Sequence, residues 1–156
     1  MAAKPIPDGY HSITPYLVVD DGVAALAWYA KAFGAKEVLR LEHNGSIGHA
    51  EMKIGDSHFM LSNEWPEWGY RSAKAIGGTP VSLMIYVDDC DKVFDQAVKA
   101  GATVRAPVQD QFYGDRSGNV TDPFGHQWTI GTHKEDMSGE EMQRRFTEMM
   151  SAGAPS

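Results

Sequence analysis

Two stretches of this chain repeat one another, and that repeat limits the available folds more than any other feature. Leu17-Val18-Val19-Asp20-Asp21, with an apolar-striped run closing at Phe33-Gly34, returns as Ile85-Tyr86-Val87-Asp88-Asp89 and a run closing at Ala100-Gly101. Each copy reads as a strand, a helix start and a helix. The aspartates have short carboxylates that accept from the orphan N–H groups of a first helical turn, where the helix dipole also favours negative charge. Leu26, Ala30 and Phe33 in the first copy, and Phe94 and Val98 in the second, recur every three to four residues and line one helix face. Gly34 and Gly101 sit where a left-handed residue ends a helix cheaply. A repeat this long is a duplicated module and not a solenoid.

Between these anchors the strands follow from alternation and turn chemistry. Strand one runs over 12–19, with Thr14, Tyr16 and Val18 on one face. Asn44-Gly45 is a two-residue hairpin signal between strands at 36–42 and 47–54, and Gly55-Asp56 turns into a fourth strand at 57–62. The second half repeats the order, with strands at 81–87 and 103–108, a type I turn at Asp122-Pro123-Phe124-Gly125 and a last strand at 126–133. The expected class is α+β, with two βαβββ modules at 12–62 and 81–133. A linker at 63–80 carries Trp65, Trp68 and Tyr70, which are expected to cover a pocket or a neighbouring subunit, or to pack the loop onto its own module. Ser138 with Glu141 forms a capping box for a C-terminal helix at 138–150, striped by Met142, Phe146 and Met149. Residues 1–10 are expected to be extended and loosely held.

Several functions are excluded early. The net charge of −7 and the lack of a basic run argue against a nucleic-acid partner. No apolar run approaches bilayer length, and the opening residues lack a signal-peptide core, so a membrane partner is not expected and the expected location is the cytoplasm. Cys90 is the only cysteine, so disulfides and thiolate metal clusters are out, and it is expected to pack at a helix start. No phosphate loop, nucleophile elbow or HExxH motif is present.

A helix covers one face of such a sheet and leaves the other, curved face for a cavity or a second module. Alternation places His49, Glu51 and Lys53 of the third strand on that open face, with Ser82, Met84 and Tyr86 of the fifth and Gln127, Thr129, Gly131 and His133 of the last. This mixed polar set suits a small-molecule pocket. Glu51 needs a partner, for which Arg116, His49 or a substrate group are candidates. Desolvation would raise its pKa and make it a general base. Tyr113 offers a phenol, and Arg116 a guanidinium that either clamps an anion or pairs with Asp115 to shape a loop.

The duplicated pattern, with the closing Asp122-Pro123-Phe124-Gly125-His126-Gln127-Trp128, resembles the vicinal oxygen chelate superfamily, which includes glyoxalase I, bleomycin-resistance proteins and extradiol dioxygenases. Through Thr14-Pro15-Tyr16, His49-Ala50-Glu51 and Phe112-Tyr113-Gly114-Asp115-Arg116 it looks most like the PhnB-like branch. The resemblance implies a glyoxalase-like fold of curved half-barrel sheets and a homodimer in which modules of two chains can pair. It also implies four metal-ligand positions, which here fall on Thr14, Met60, Ser82 and Thr129. None is a good ligand for a divalent metal. The expectation is therefore a small-molecule binder with no cofactor, using Glu51 and His49 as polar groups and Thr14, Tyr16, Met60, Ser82, Met84, Tyr113, Arg116 and Thr129 as ligand contacts. The alternatives are a lyase or isomerase using Glu51 or His49 for proton transfer, with or without a divalent metal held by His49, Glu51 and His58 or His133, and a partner-binding module.

Overall fold

In the computed structural model, which describes residues 2–153, the chain forms two four-stranded mixed sheets of the same design. The first half runs β1 (Tyr16–Val19), α1 (Gly22–Phe33), β2 (Lys36–His43), β3 (Ser46–Ile54) and β4 (Ser57–Asn63), with strand order β1-β4-β3-β2. The second runs β5 (Ser82–Tyr86), α2 (Cys90–Lys99), β6 (Thr103–Asp110), β7 (Asp115–Thr121) and β8 (Gln127–His133), with order β5-β8-β7-β6. A helix α3 (Gly139–Ser151) closes the chain, and this is the glyoxalase-like fold.

The second aspartate of each pair caps its helix, Asp21 accepting from the Ala24 N–H at 3.0 Å and Asp89 from that of Lys92 at 3.1 Å. The two modules also share a joint. The first helical N–H is taken by a side chain of the last strand, Gly22 by Asn63 Oδ1 and Cys90 by Thr132 Oγ1, each at 3.0 Å. Asn44 and Gly45 both have positive φ, 49° and 77°, as a type I′ hairpin requires. Strand β1 begins at Tyr16, four residues later than expected. Pro15 has no N–H for the ladder, although its carbonyl still accepts from Met60 at 2.9 Å.

The core lies between the two sheets, where α1 and α2 are packed. Tyr29, Leu26, Met52, Leu61, Val120 and Ile130 are buried there, with Trp128 and Phe124 around Tyr29. The helices also interlock through polar groups. Trp28 Nε1 donates to the Ala100 carbonyl at 2.9 Å, and Gln96 donates to the carbonyls of Lys31 and Ala32 at 2.8 and 3.0 Å, closing the end of α1. Gly118 lets α2 approach β7, because a Cβ there would lie 2.6 Å from the Phe94 ring. Cys90 is buried, its thiol directed at the Arg116 carbonyl 3.3 Å away. With both helices on the inside, the opposite face of each sheet is left open to the exterior.

The linker folds back on the first module. It contains a 3-10 turn (Pro66–Trp68) and a short helical turn (Ala73–Ile76), with Trp65 against Trp68 and Tyr70 beside Tyr16. Helix α3 touches the body through Phe146 on Phe112 and through Arg145, which bonds Glu135 and the Phe112 carbonyl. Among the described residues no helix is long and apolar enough to cross a membrane.

Candidate functional site

Strand register builds the open face of the first sheet row by row. Leu39 of β2, Glu51 of β3, Met60 of β4 and Tyr16 of β1 are successive partners across all four strands. Leu41 lies opposite His49 in the next row. Partners in register share a face, so a carboxylate and an imidazole sit in a field of leucine, methionine and tyrosine.

Four polar side chains form one hydrogen-bonded chain across this face. Tyr10 donates its hydroxyl to Glu51 Oε2, His49 Nε2 lies 3.2 Å from Glu51 Oε1, and His49 Nδ1 lies 3.0 Å from the Tyr16 hydroxyl. The carboxylate only accepts, so His49 Nε2 carries a hydrogen. The Tyr10 bond, more than the smaller His49 bond, holds the Glu51 carboxyl below its ordinary range despite partial burial. The expectation of a raised Glu51 pKa is thereby corrected: desolvation acts, but the hydrogen bonds to the ionised form outweigh it. The Tyr10 phenol is pushed up to about 12, by burial first and by Glu51 next.

Tyr10 belongs to the segment expected to be loosely held. Instead its ring stacks on His58 with centroids 4.1 Å apart, and the Gly9 carbonyl sits 2.9 Å from His58 Nδ1. Among residues 2–13 only Tyr10 is not exposed. No periodicity marks this contact, and the one available signal is an isolated tyrosine between polar residues ahead of strand one.

The second sheet holds a different cluster. Asp115, only 4% exposed, accepts from the Tyr86 hydroxyl at 2.8 Å, and its other oxygen lies 2.7 Å from His133 Nδ1. His133 Nε2 faces Asp136 at 2.8 Å, so both ring nitrogens meet carboxylates. The pKa of His133 is raised, by Asp115 first and Asp136 second. A raised folded value means a stability contribution present in full below the unfolded pKa and lost as pH rises through the folded one. The unfolding free-energy difference between wild type and His133→Gln, followed by urea titration from roughly pH 5 to pH 9, is expected to be largest at the acid end and to shrink upward.

Arg116 is not on the open face. It pairs in register with Thr132, on the helix side, and its guanidinium bonds Asp91 of α2 at 2.8 and 2.9 Å and Asp110 at 3.2 Å. Neighbouring strand residues point to opposite sides, so Asp115 and Arg116 do not pair with each other, and the Arg116 guanidinium bonds Asp91 and Asp110 and not Glu51. Tyr113 packs its ring on Phe112 and lies near enough to Tyr86 to help raise that phenol's pKa. Met84 pairs with Thr129, and Ser82 pairs with Gln127 at the exposed end of β5.

A cleft of 570 Å³ runs along the free edge of β5, lined by Leu83–Val87 on one side and by His11, Thr14, Pro15 and His58 on the other. Phe33, Phe59 and Trp128 form its floor. Of the expected contacts, Thr14 and Met84 border this cleft, while Glu51, His49, Tyr16 and Met60 form the patch beside it.

The residues do not fit the metal site that the fold implies. The four positions that the resemblance implies carry the hydroxyls of Thr14, Ser82 and Thr129 and the thioether of Met60, which are poor donors for a divalent ion. The other grouping is also not assembled: His133 is held by Asp115 and Asp136 on the second sheet, and His58 is engaged by Tyr10 and Gly9. Among the described residues no three His, Cys, Asp or Glu side chains are gathered for a metal.

Duplicated βαβββ modules with a polar patch on an open sheet face define a glyoxalase-like protein. The sequence pattern of the Glyoxalase/Bleomycin resistance protein/Dioxygenase superfamily matches residues 9–130, and the chain belongs to that superfamily. It is 40% identical over 136 residues to Uncharacterized protein Mb0911c of Mycobacterium bovis, covering 85% of this chain and 90% of that one. Among solved structures it is similar to TioX from Micromonospora sp. ML1, at 28% identity and TM-score 0.63 over 82% of this chain and 100% of that one. It is also similar to the Arabidopsis thaliana At5g48480 gene product, at 27% identity and TM-score 0.64 over 78% and 98%.

Proposed function

We propose that the protein binds a small organic molecule at the Glu51 patch, without a divalent metal, and works as a homodimer. The observation that supports this most is the Tyr10–Glu51–His49–Tyr16 chain, a set of oriented polar groups within an apolar field. Such a surface recognises a ligand by a few placed hydrogen bonds and holds it by apolar area. The depressed pKa of Glu51 favours binding over proton abstraction, since a carboxylate stabilised as the anion is a weak base. Met60 and Tyr70 extend the patch, and Met84 and Thr129 belong to the corresponding face of the second sheet.

The homodimer is supported by what the open faces carry. Leu41 is 55% exposed, Met84 41% and Tyr86 62%, all on sheet faces that no helix of the described chain covers. Exposed apolar side chains on an uncovered sheet face are suited to a second copy of the same sheet. Within the superfamily we place the chain in the PhnB-like branch on Thr14-Pro15-Tyr16 and His49-Ala50-Glu51.

The test is calorimetric titration of wild type and Glu51→Gln with a panel of metabolites and drugs. At least one compound is expected to bind the wild type and to lose roughly tenfold or more in affinity when the charge is removed, as for a charge-assisted bond. A panel without any binder, or binders indifferent to Glu51, would overturn the reading.

A further inference from the structure

We propose that the Glu51 site takes a phenol bearing an apolar substituent, and that Tyr10 occupies it as a tethered stand-in for that ligand. The inference rests on the binding role of Glu51 proposed above and names the chemical class of the ligand.

The arm shows what the site accepts. Tyr10 lies 41 positions from Glu51 in the chain and reaches it from a stretch, residues 2–15, that contains no helix or strand. Its neighbours stay in solvent while its ring enters the face, lying nearly parallel to His58 at an interplanar angle of 20°. The turn that presents it is closed by the Tyr10 N–H on the Pro7 carbonyl at 3.0 Å and meets the site again where the Gly9 carbonyl lies 2.9 Å from His58 Nδ1. The site therefore supplies the two elements that phenol recognition needs. One is an aromatic plane for the ring, and the other is an oriented carboxylate acceptor for the hydroxyl.

Glu51 also has support besides Tyr10. Its second oxygen meets His49, which meets Tyr16 in turn, so the oxygen that takes the Tyr10 hydroxyl is the one offered to a ligand. The phenol remains protonated far above neutral pH, as a donor must. His58 then links the patch to the cleft, since the same imidazole that stacks on Tyr10 lines the cleft wall. A free phenol stacked there would direct a substituent along the β5 edge, past Phe33, Leu83, Ile85 and Trp128, which accept carbon and not charge. The tethered ring competes at an effective concentration on the order of millimolar, so it sets a threshold that a weak ligand does not cross.

The probe is 4-propylphenol, titrated calorimetrically into the full-length wild type, Tyr10→Ala, Tyr10→Phe and the double variant Tyr10→Ala/Glu51→Gln, with propylbenzene as the ligand lacking a hydroxyl. Tyr10 lies outside every helix and strand, so its variants keep the fold, which circular dichroism verifies. Affinity for 4-propylphenol is expected to rise at least tenfold in Tyr10→Ala and by less in Tyr10→Phe, where a ring still competes without its hydrogen bond. It is expected to fall at least tenfold again in the double variant. Propylbenzene binding as tightly as 4-propylphenol, or a Tyr10→Ala affinity equal to wild type, would overturn the inference. Should 4-propylphenol bind none of the proteins while a panel compound binds in a Glu51-dependent way, the phenol assignment fails and the binding role of Glu51 stands. If nothing depends on Glu51, both fail.

Discussion

Asp122→Ala is expected to lower the unfolding free energy by about 3–5 kcal/mol, the loss typical of removing one partner from a buried charged network. Asp122 is 4% exposed and serves four donors at once. One oxygen takes the Phe124 and His126 N–H groups at 2.9 and 3.0 Å, and the other takes the Tyr29 hydroxyl at 2.5 Å and Trp128 Nε1 at 2.9 Å. It therefore shapes the type I turn of the second module and also ties α1 of the first module to it. Alanine would strand two buried side-chain donors, each costing about 1–3 kcal/mol if left unpaired, with relaxation of the turn recovering part. Tyr29→Phe removes one of the four bonds and is expected to cost about 1–2 kcal/mol, because the ring stays packed. Burial and the nearby Asp122 charge keep the Tyr29 phenol well above its ordinary pKa, so the bond has a neutral donor at every working pH. Urea titrations of the two variants at one protein concentration measure both numbers. An Asp122→Ala loss no greater than that of Tyr29→Phe would show that the turn amides and Trp128 find other partners.

The same residue shows how much the sequence makes visible. Asp122-Pro123-Phe124-Gly125 is readable as a type I turn because turn chemistry is local, and the Gly125 N–H does close on the Asp122 carbonyl at 3.1 Å. That the carboxylate also meets Tyr29, 93 positions away, has no local signature. The helix caps at Asp21 and Asp89, the hairpin at Asn44-Gly45 and the inward faces of β3, β5 and β8 are likewise set by neighbours within a few residues. The site divides along the same line. His49 and Glu51 are legible because period-two alternation puts both on the open face, and register then adds Met60 and Tyr16. Tyr10 is not, since an arm outside the repeat obeys no periodicity. Arg116 escapes for another reason. Its stretch reads as a loop, where adjacent charges can pair, but residues 115–121 form β7, and strand parity sends Asp115 to Tyr86 and His133 while Arg116 goes to Asp91. Gly118 hides that strand, because glycine is uncommon within strands and is needed here so that Phe94 and Val108 can approach.

Substituting Leu41→Glu and Met84→Glu together is expected to convert the proposed homodimer to monomer, weakening association at least a hundredfold while leaving each chain folded. Both side chains are largely exposed in the single chain, so glutamate there costs the monomer little. In a dimer that covers these faces, each carboxylate would lose its hydration without a cation to meet it. Leu41 lies beside His49, which is already committed to Glu51 and Tyr16, and Met84 lies beside Thr129. An unpaired carboxylate in such a place costs several kcal/mol, and about 2.7 kcal/mol already corresponds to a hundredfold in the dissociation constant. Two-fold symmetry doubles the effect, because each substitution enters the assembly twice. Lys99→Glu, on the exposed side of α2 where it pairs with Asp95, alters the charge more than either single substitution without touching a sheet face, and it is expected to leave association unchanged. Light scattering across a dilution series decides the matter. A wild type that is monomeric at every concentration, or a double variant that associates as well as Lys99→Glu does, would mean that the open faces are covered by something other than a second copy.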